Sequence, residues 1–163
     1  MHQHLSLLCQ VLTSDTTRNM KKTLEFPADT ASLSKIGDLI VEACRSVGFN
    51  EEEIGDIQLS VDEACTNTII HGLGQDPDRN FRLDILSETG EIEIVIYERG
   101  SPFDTLEVKQ PNSDAPLEER SVGGLGIYFI MNLMDEVEYR TDDEGTKIFR
   151  MLKRKRQDEV RTK

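Results

Sequence analysis

The sequence predicts an α+β fold, a two-layer α/β sandwich with helices on one face of a mostly antiparallel sheet. Three observations lead to it. Apolar residues recur at helical spacing in three segments, alternate with polar ones in five others, and the order strand, helix, helix, hairpin, long loop, helix, hairpin matches a single antiparallel sheet with one helical layer. No internal repeat is visible.

Each element has a local reason. Lys22 to Phe26 alternate and meet Pro27, a strand ending at a turn. A helix follows, capped by Asp29 or Thr30, with Leu33, Ile36, Ile40, Ala43 and Val47 on one face and Gly48 as its stop. The second helix starts at the cap Asn50. Glu51, Glu52 and Glu53 suit its positive end, and Ile54, Ile57, Val61, Ala64 and Thr68 form its buried stripe as far as Gly72 or Gly74. Phe81-Leu83-Ile85 and Ile92-Ile94-Ile96 flank Ser87-Glu88-Thr89-Gly90 as a hairpin. Asp104 to Val122 lacks periodicity and exceeds the usual loop of about 4–6 residues, the mark of a functional loop. Gly123-Gly124-Leu125-Gly126 opens a third helix through Ile127, Ile130 and Met134. Strands around Val137–Tyr139 and Thr146–Leu152 then flank the turn Asp142–Gly145.

Composition narrows the functions. With 163 residues, 19 Lys or Arg and 31 Asp or Glu, the chain is one acidic domain of net charge -12. Such a surface repels phosphate backbones and anionic lipid, which argues against nonspecific nucleic-acid or membrane binding. No apolar run approaches the roughly 20 residues of a membrane span, and Met1 to Thr13 carries neither a basic leader nor a cleavage site. Cys9, Cys44 and Cys65 are odd in number and far apart, which fits neither a disulfide framework nor a zinc site and points to a reducing, cytoplasmic setting. Lys153-Arg154-Lys155-Arg156 reads as a solvated tail continuing the final strand.

Three constellations carry chemistry. On the second helix, Glu63 and Asn67 lie one turn apart on a face shared with Leu59 and Ile70, a mixture that suits a pocket wall better than a fully solvated face. An ordinary surface pair is one reading. The other is a hard-cation and phosphate site, with Asn67 offering a carbonyl oxygen to Mg²⁺ and Glu63 accepting a proton from a hydroxyl or water. Next, Gly123-Gly124-Leu125-Gly126 at a helix start lets backbone N–H groups approach phosphate oxygens, or is simply a tight turn. It lacks the spacing of a Walker loop or a dinucleotide fingerprint. Finally, Glu98-Arg99-Gly100 at a strand end is either a turn or a carboxylate placed for the exocyclic amine of a purine.

The ordered set D-E-A-C-T-N-T-I-I-H-G (Asp62 to Gly72), E-R-G-S-P-F-D (Glu98 to Asp104) and G-G-L-G-I-Y-F-I-M-N-L-M-D-E-V-E-Y (Gly123 to Tyr139) resembles the N, G1 and G2 boxes of the GHKL ATPases. Their fold is the Bergerat ATP-binding fold. Within them the chain is similar to the anti-sigma-factor serine kinases of bacterial partner-switching systems, over about Lys22 to Lys153. That resemblance implies a cytoplasmic protein serine/threonine kinase using ATP and Mg²⁺. It implies an anti-anti-sigma (STAS-domain) protein as phosphoacceptor, a sigma factor or equivalent regulator as competing partner, and a homodimer joined through the first strand and helix. It further implies Glu63 as general base and Asn67 as Mg²⁺ ligand. Glu98 would contact adenine, Gly100 would form the G1 turn, and Gly123, Gly124 and Gly126 would hold phosphates under a lid of Asp104 to Val122. Arg120 would reach the terminal phosphate, and His71, Phe103, Leu125 and Thr146 would complete the ATP site; a buried structural role is the other reading of His71.

Glu98 departs from the Asp usual in that family, and its extra methylene moves the carboxylate by about 1.5 Å. A partner-binding module of the same fold with little kinase activity is therefore the alternative function. A sensor histidine kinase fragment fits poorly, because only about twenty unpatterned residues precede the first strand. The resemblance divides the chain into an N-terminal extension (residues 1–20), an ATPase domain (21–153) and a basic C-terminal tail (154–163). Met20 lies just ahead of the family-like sequence, so Met1 to Asn19 is either a flexible extension or a misplaced start.

Overall fold

The computed structural model describes residues 19–99 and 124–157. Five strands build one sheet in the order β1-β2-β3-β5-β4: β1 (Met20–Pro27), β2 (Asn80–Glu88), β3 (Glu91–Arg99), β4 (Glu136–Thr141) and β5 (Thr146–Arg154). Every neighbouring pair is antiparallel. Helices α1 (Ser32–Val47), α2 (Glu51–Asn67) and α3 (Gly124–Leu133) pack on one face, which is the expected two-layer α+β arrangement. None of the described helices is long and apolar enough to cross a membrane.

The core forms where two periodicities meet. Alternation turns Leu83 and Ile85 of β2 and Ile92, Ile94 and Ile96 of β3 toward the helices, where they bury against Ile36 and Ile40 of α1, Ile57 and Val61 of α2 and Ile130 of α3. Glu98 continues the inward series of β3, and Lys147, Phe149 and Met151 stand opposite Glu98, Ile96 and Ile94 on β5. The sheet therefore delivers a carboxylate and an ammonium to the edge of an apolar core.

Local chemistry sets the helix ends. Asn50 accepts from the backbone N–H of Glu53, and Glu53 reaches back to the N–H of Asn50, a complete capping box. The α1 cap differs from the expectation. Ala31 takes that position without a side-chain bond, because the Asp29 carboxylate is spent on a local turn, accepting from the Ala31 N–H at 2.8 Å. Helix α2 also ends as a π-helical turn over Thr68–Gly72 rather than continuing as α-helix, a deviation that often marks functional positions.

The basic run continues the final strand as far as Arg154, and Arg154, Lys155 and Arg156 are exposed as expected, but Lys153 is not solvated. Lys153 is buried in β5 and donates from Nζ to the Leu133 carbonyl, neutralising the C-terminal end of α3. Arg154 pairs with Glu91 and Glu136, whereas Arg156 gives its backbone N–H to Glu53 and its guanidinium to Glu52. Acidic side chains of α2 and the sheet draw the run back onto the domain. Cys44 and Cys65 are both buried, and burial pushes the Cys44 thiol up to about 12, so these two are core residues. The expectations for Met1 to Thr13, Cys9, Gly100, Phe103, Arg120, Gly123 and the loop Asp104 to Val122 lie outside the described residues.

Candidate active site

Glu63 and Asn67 occupy successive turns of α2 and are both partly buried, with Leu59 and Ile70 exposed at 42% and 37% beside them. What distinguishes this face is its contact with α3. A Cβ built on Gly126 would lie 2.6 Å from Glu63 Oε2, so the absence of a side chain at Gly126 is what lets the carboxylate rest against the first turn of α3. The N–H groups of a helix's first turn have no partner within the helix, and the positive end of the helix dipole lies there. Gly124 is the first residue of α3, Gly126 is buried and Leu125 is 44% exposed. A carboxylate and a glycine-rich helix start thus meet in one place.

At the other end of the site, Glu98 is 7% exposed, and a Cβ on Gly72 would overlap its carboxyl group. The π-helical turn therefore lies directly on Glu98 because residue 72 is glycine. Lys147 Nζ donates to Glu98 Oε1 at 3.3 Å from the facing strand. Half-exposed Tyr139 stands nearby. Its phenol is pushed above the ordinary value by burial, with Lys147 opposing the shift and Glu98 adding to it.

The structure also places two of the other expected ATP contacts. His71 is exposed on the π-helical turn, which removes the buried structural reading. Thr146 pairs with Arg99, so it faces the opposite side of the sheet from Glu98, and its backbone N–H is bound by Asp142 Oδ1 at 2.8 Å. Lys147 is the residue that sequence reasoning missed. Its signal was present: counting back by twos from the apolar Met151 and Phe149 leads to Lys147, not Thr146.

The described residues contain no group of three or more His, Cys, Asp or Glu able to hold a metal by themselves. Mg²⁺ does not require one. It keeps several waters and is commonly held by one or two side chains together with substrate phosphates. Asn67, with Glu63 one turn away on α2, fits that pattern through the hard oxygen of its amide.

A single antiparallel sheet with one helical layer, an acid and an amide on the middle helix, and a glycine-rich helix start define an ATPase domain of the kind found in histidine kinases. Residues 26–152 match the family model of the histidine kinase-like ATPase domain, and the chain belongs to that family and, within it, to the RsbW serine-protein kinases. It is 30% identical over 132 residues to the serine-protein kinase RsbW of Listeria monocytogenes serotype 4a (strain HCC23), covering 78% of this chain and 83% of that one. To the serine-protein kinase RsbW of Bacillus pumilus (strain SAFR-032) it is 33% identical over 106 residues, 61% of this chain and 65% of that one. Among solved structures, the crystal structure of the RsbU and RsbW domains of Rv1364c from Mycobacterium tuberculosis superposes with a TM-score of 0.56 at 15% identity. The match covers 81% of this chain and 32% of that one, and it speaks to the fold.

Proposed function

We propose that this kinase transfers the γ-phosphoryl group of ATP to a serine or threonine of a small STAS-domain partner, and that phosphorylation decides whether that partner or a sigma factor is held. The observation that carries the reading is the Glu63 carboxylate seated against the first turn of α3, with Asn67 one turn away.

In this reading the acceptor hydroxyl loses its proton to Glu63 while its oxygen forms a bond to the γ-phosphorus. The bond from that phosphorus to the β–γ bridging oxygen breaks, and ADP leaves with the electron pair. The N–H groups at the start of α3, with Gly123, Gly124, Leu125 and Gly126, bind the phosphate oxygens; Arg120 contacts the terminal one. Glu98 accepts from the adenine amine, and His71, Gly100 and Phe103 complete the site. Asn67 would hold Mg²⁺, which would offset triphosphate charge that an acidic protein otherwise repels. The product phosphate brings about −1.5 to −2 charge beside Glu63 and Asp62, which favours release of the modified partner.

We further propose the cytoplasm as the location and a homodimer as the working form, with residues 21–153 as the domain, preceded by the extension 1–20 and followed by the tail 154–163. Strands β1 and β5 reach Met20 and Arg154, one residue beyond each end.

Calorimetric titration of the full chain with an unhydrolysable ATP analogue, with and without Mg²⁺, tests the nucleotide step. Saturable, Mg²⁺-enhanced binding is expected. No binding up to millimolar analogue would overturn the kinase reading.

The Glu98 departure has a definite expected outcome. Glu98→Asp withdraws the carboxylate by about 1.5 Å and leaves Lys147 half-buried without its partner. Hydrogen bonds to charged groups contribute about 1.5–3 kcal/mol, so ATP affinity should fall about tenfold or more and the melting temperature should drop. Tighter binding by the Asp variant would show that the longer side chain is a compromise.

A further inference from the structure

We propose that Lys147 reads the purine base together with Glu98, the carboxylate accepting from the exocyclic amine of adenine while the Lys147 ammonium donates to ring nitrogen N1. The inference rests on the nucleotide reading above and deepens it by naming a residue that selects the base.

The geometry is specific. Lys147 stands opposite Glu98 in the β3–β5 register, at the strand ends where the apolar core stops. Their side chains are 16% and 9% exposed and 3.3 Å apart. An ammonium carries three N–H donors and no acceptor, whereas a carboxylate only accepts. The pair therefore presents an acceptor and a donor side by side. Adenine presents the complement along its pairing edge, an amine that donates and a ring nitrogen that accepts. A carboxylate by itself would satisfy the amine but set its second oxygen against the lone pair of N1.

Stability gives a weaker reason for the pair. Removing two charges from water costs about as much as their attraction returns, and apolar replacements of buried ion pairs are often neutral or stabilising. The neighbouring register pairs Ile96–Phe149 and Ile94–Met151 show that this sheet packs well with apolar residues at equivalent positions. A donor–acceptor pair where the core meets the site has its use in recognition.

The test compares an unhydrolysable ATP analogue with its 1-deaza counterpart, in which N1 is replaced by C–H, by calorimetry on the full chain. The native protein should bind the 1-deaza compound about tenfold more weakly, as expected for losing a hydrogen bond to a charged donor. Lys147→Met should bind both compounds weakly and equally, whereas Lys147→Arg, which keeps a cation, should recover part of the discrimination. A general loosening of the strand would weaken both ligands without erasing the difference between them. If Lys147→Met does not fold, the native comparison and the Arg variant carry the test. Equal affinity of the native protein for the two compounds, or undiminished discrimination by the Met variant, overturns the Lys147 assignment alone. Failure of the native protein to bind either compound overturns the nucleotide reading itself and this assignment with it.

Discussion

Glu63→Gln is expected to slow phosphoryl transfer by about 10²–10⁴-fold while ATP remains bound, the usual loss when a general base is removed. The substitution keeps the size and shape of the side chain, so the contact with Gly126 survives. It removes the ability to take a proton from the acceptor hydroxyl. It also removes a negative charge beside the start of α3, so nucleotide affinity should hold or rise. Single-turnover transfer, measured together with the analogue titration, separates the two effects. Transfer at the native rate would exclude Glu63 as the base.

Gly126→Ala attacks the same group from the opposite side. The new methyl group would come within 2.6 Å of Glu63 Oε2, so one of them must move. The yielding atom is the tip of a flexible side chain, and α3 and the sheet keep their packing. Global stability should therefore change little, and alanine even favours the helix over glycine. Catalysis should suffer, since misplacing a reacting group by about 1 Å can cost about 10²-fold. Combined with Glu63→Gln, the alanine should add almost nothing, because both act through one carboxylate. A denaturant midpoint near native with strongly reduced transfer is the expected pair of results. Native activity in a folded Gly126→Ala protein would show that Glu63 acts from another position.

Much of the fold was legible in the sequence because it rests on local pattern. The Ile54–Val61 stripe, the capping box at Asn50 and the paired alternations of β2 and β3 each lie within a few residues of chain. Errors arose where local rules compete with distant ones. Asp29 looked like a cap but turns on its own backbone neighbour, and Lys153 looked solvated until β5 was laid beside the end of α3, where its ammonium meets the Leu133 carbonyl. His71 could be placed on the helix by spacing, but its exposure depends on what packs above the π-helical turn.

The sequence by itself determined the helices, the strands and the line of Glu63 and Asn67 on α2, because a period of 3.6 or 2 assigns each side chain a face without reference to the rest of the chain. It could not determine which faces meet. Glu98 and Lys147 lie on one side of the sheet because β3 and β5 pair in one register, and a slip of one residue would have set Thr146 there instead. Glu63 touches Gly126 because α2 and α3 pack in the same layer over a core that neither helix forms alone. Register and helix packing are decided by the burial of distant apolar residues against one another, and only the tertiary structure brings those residues together.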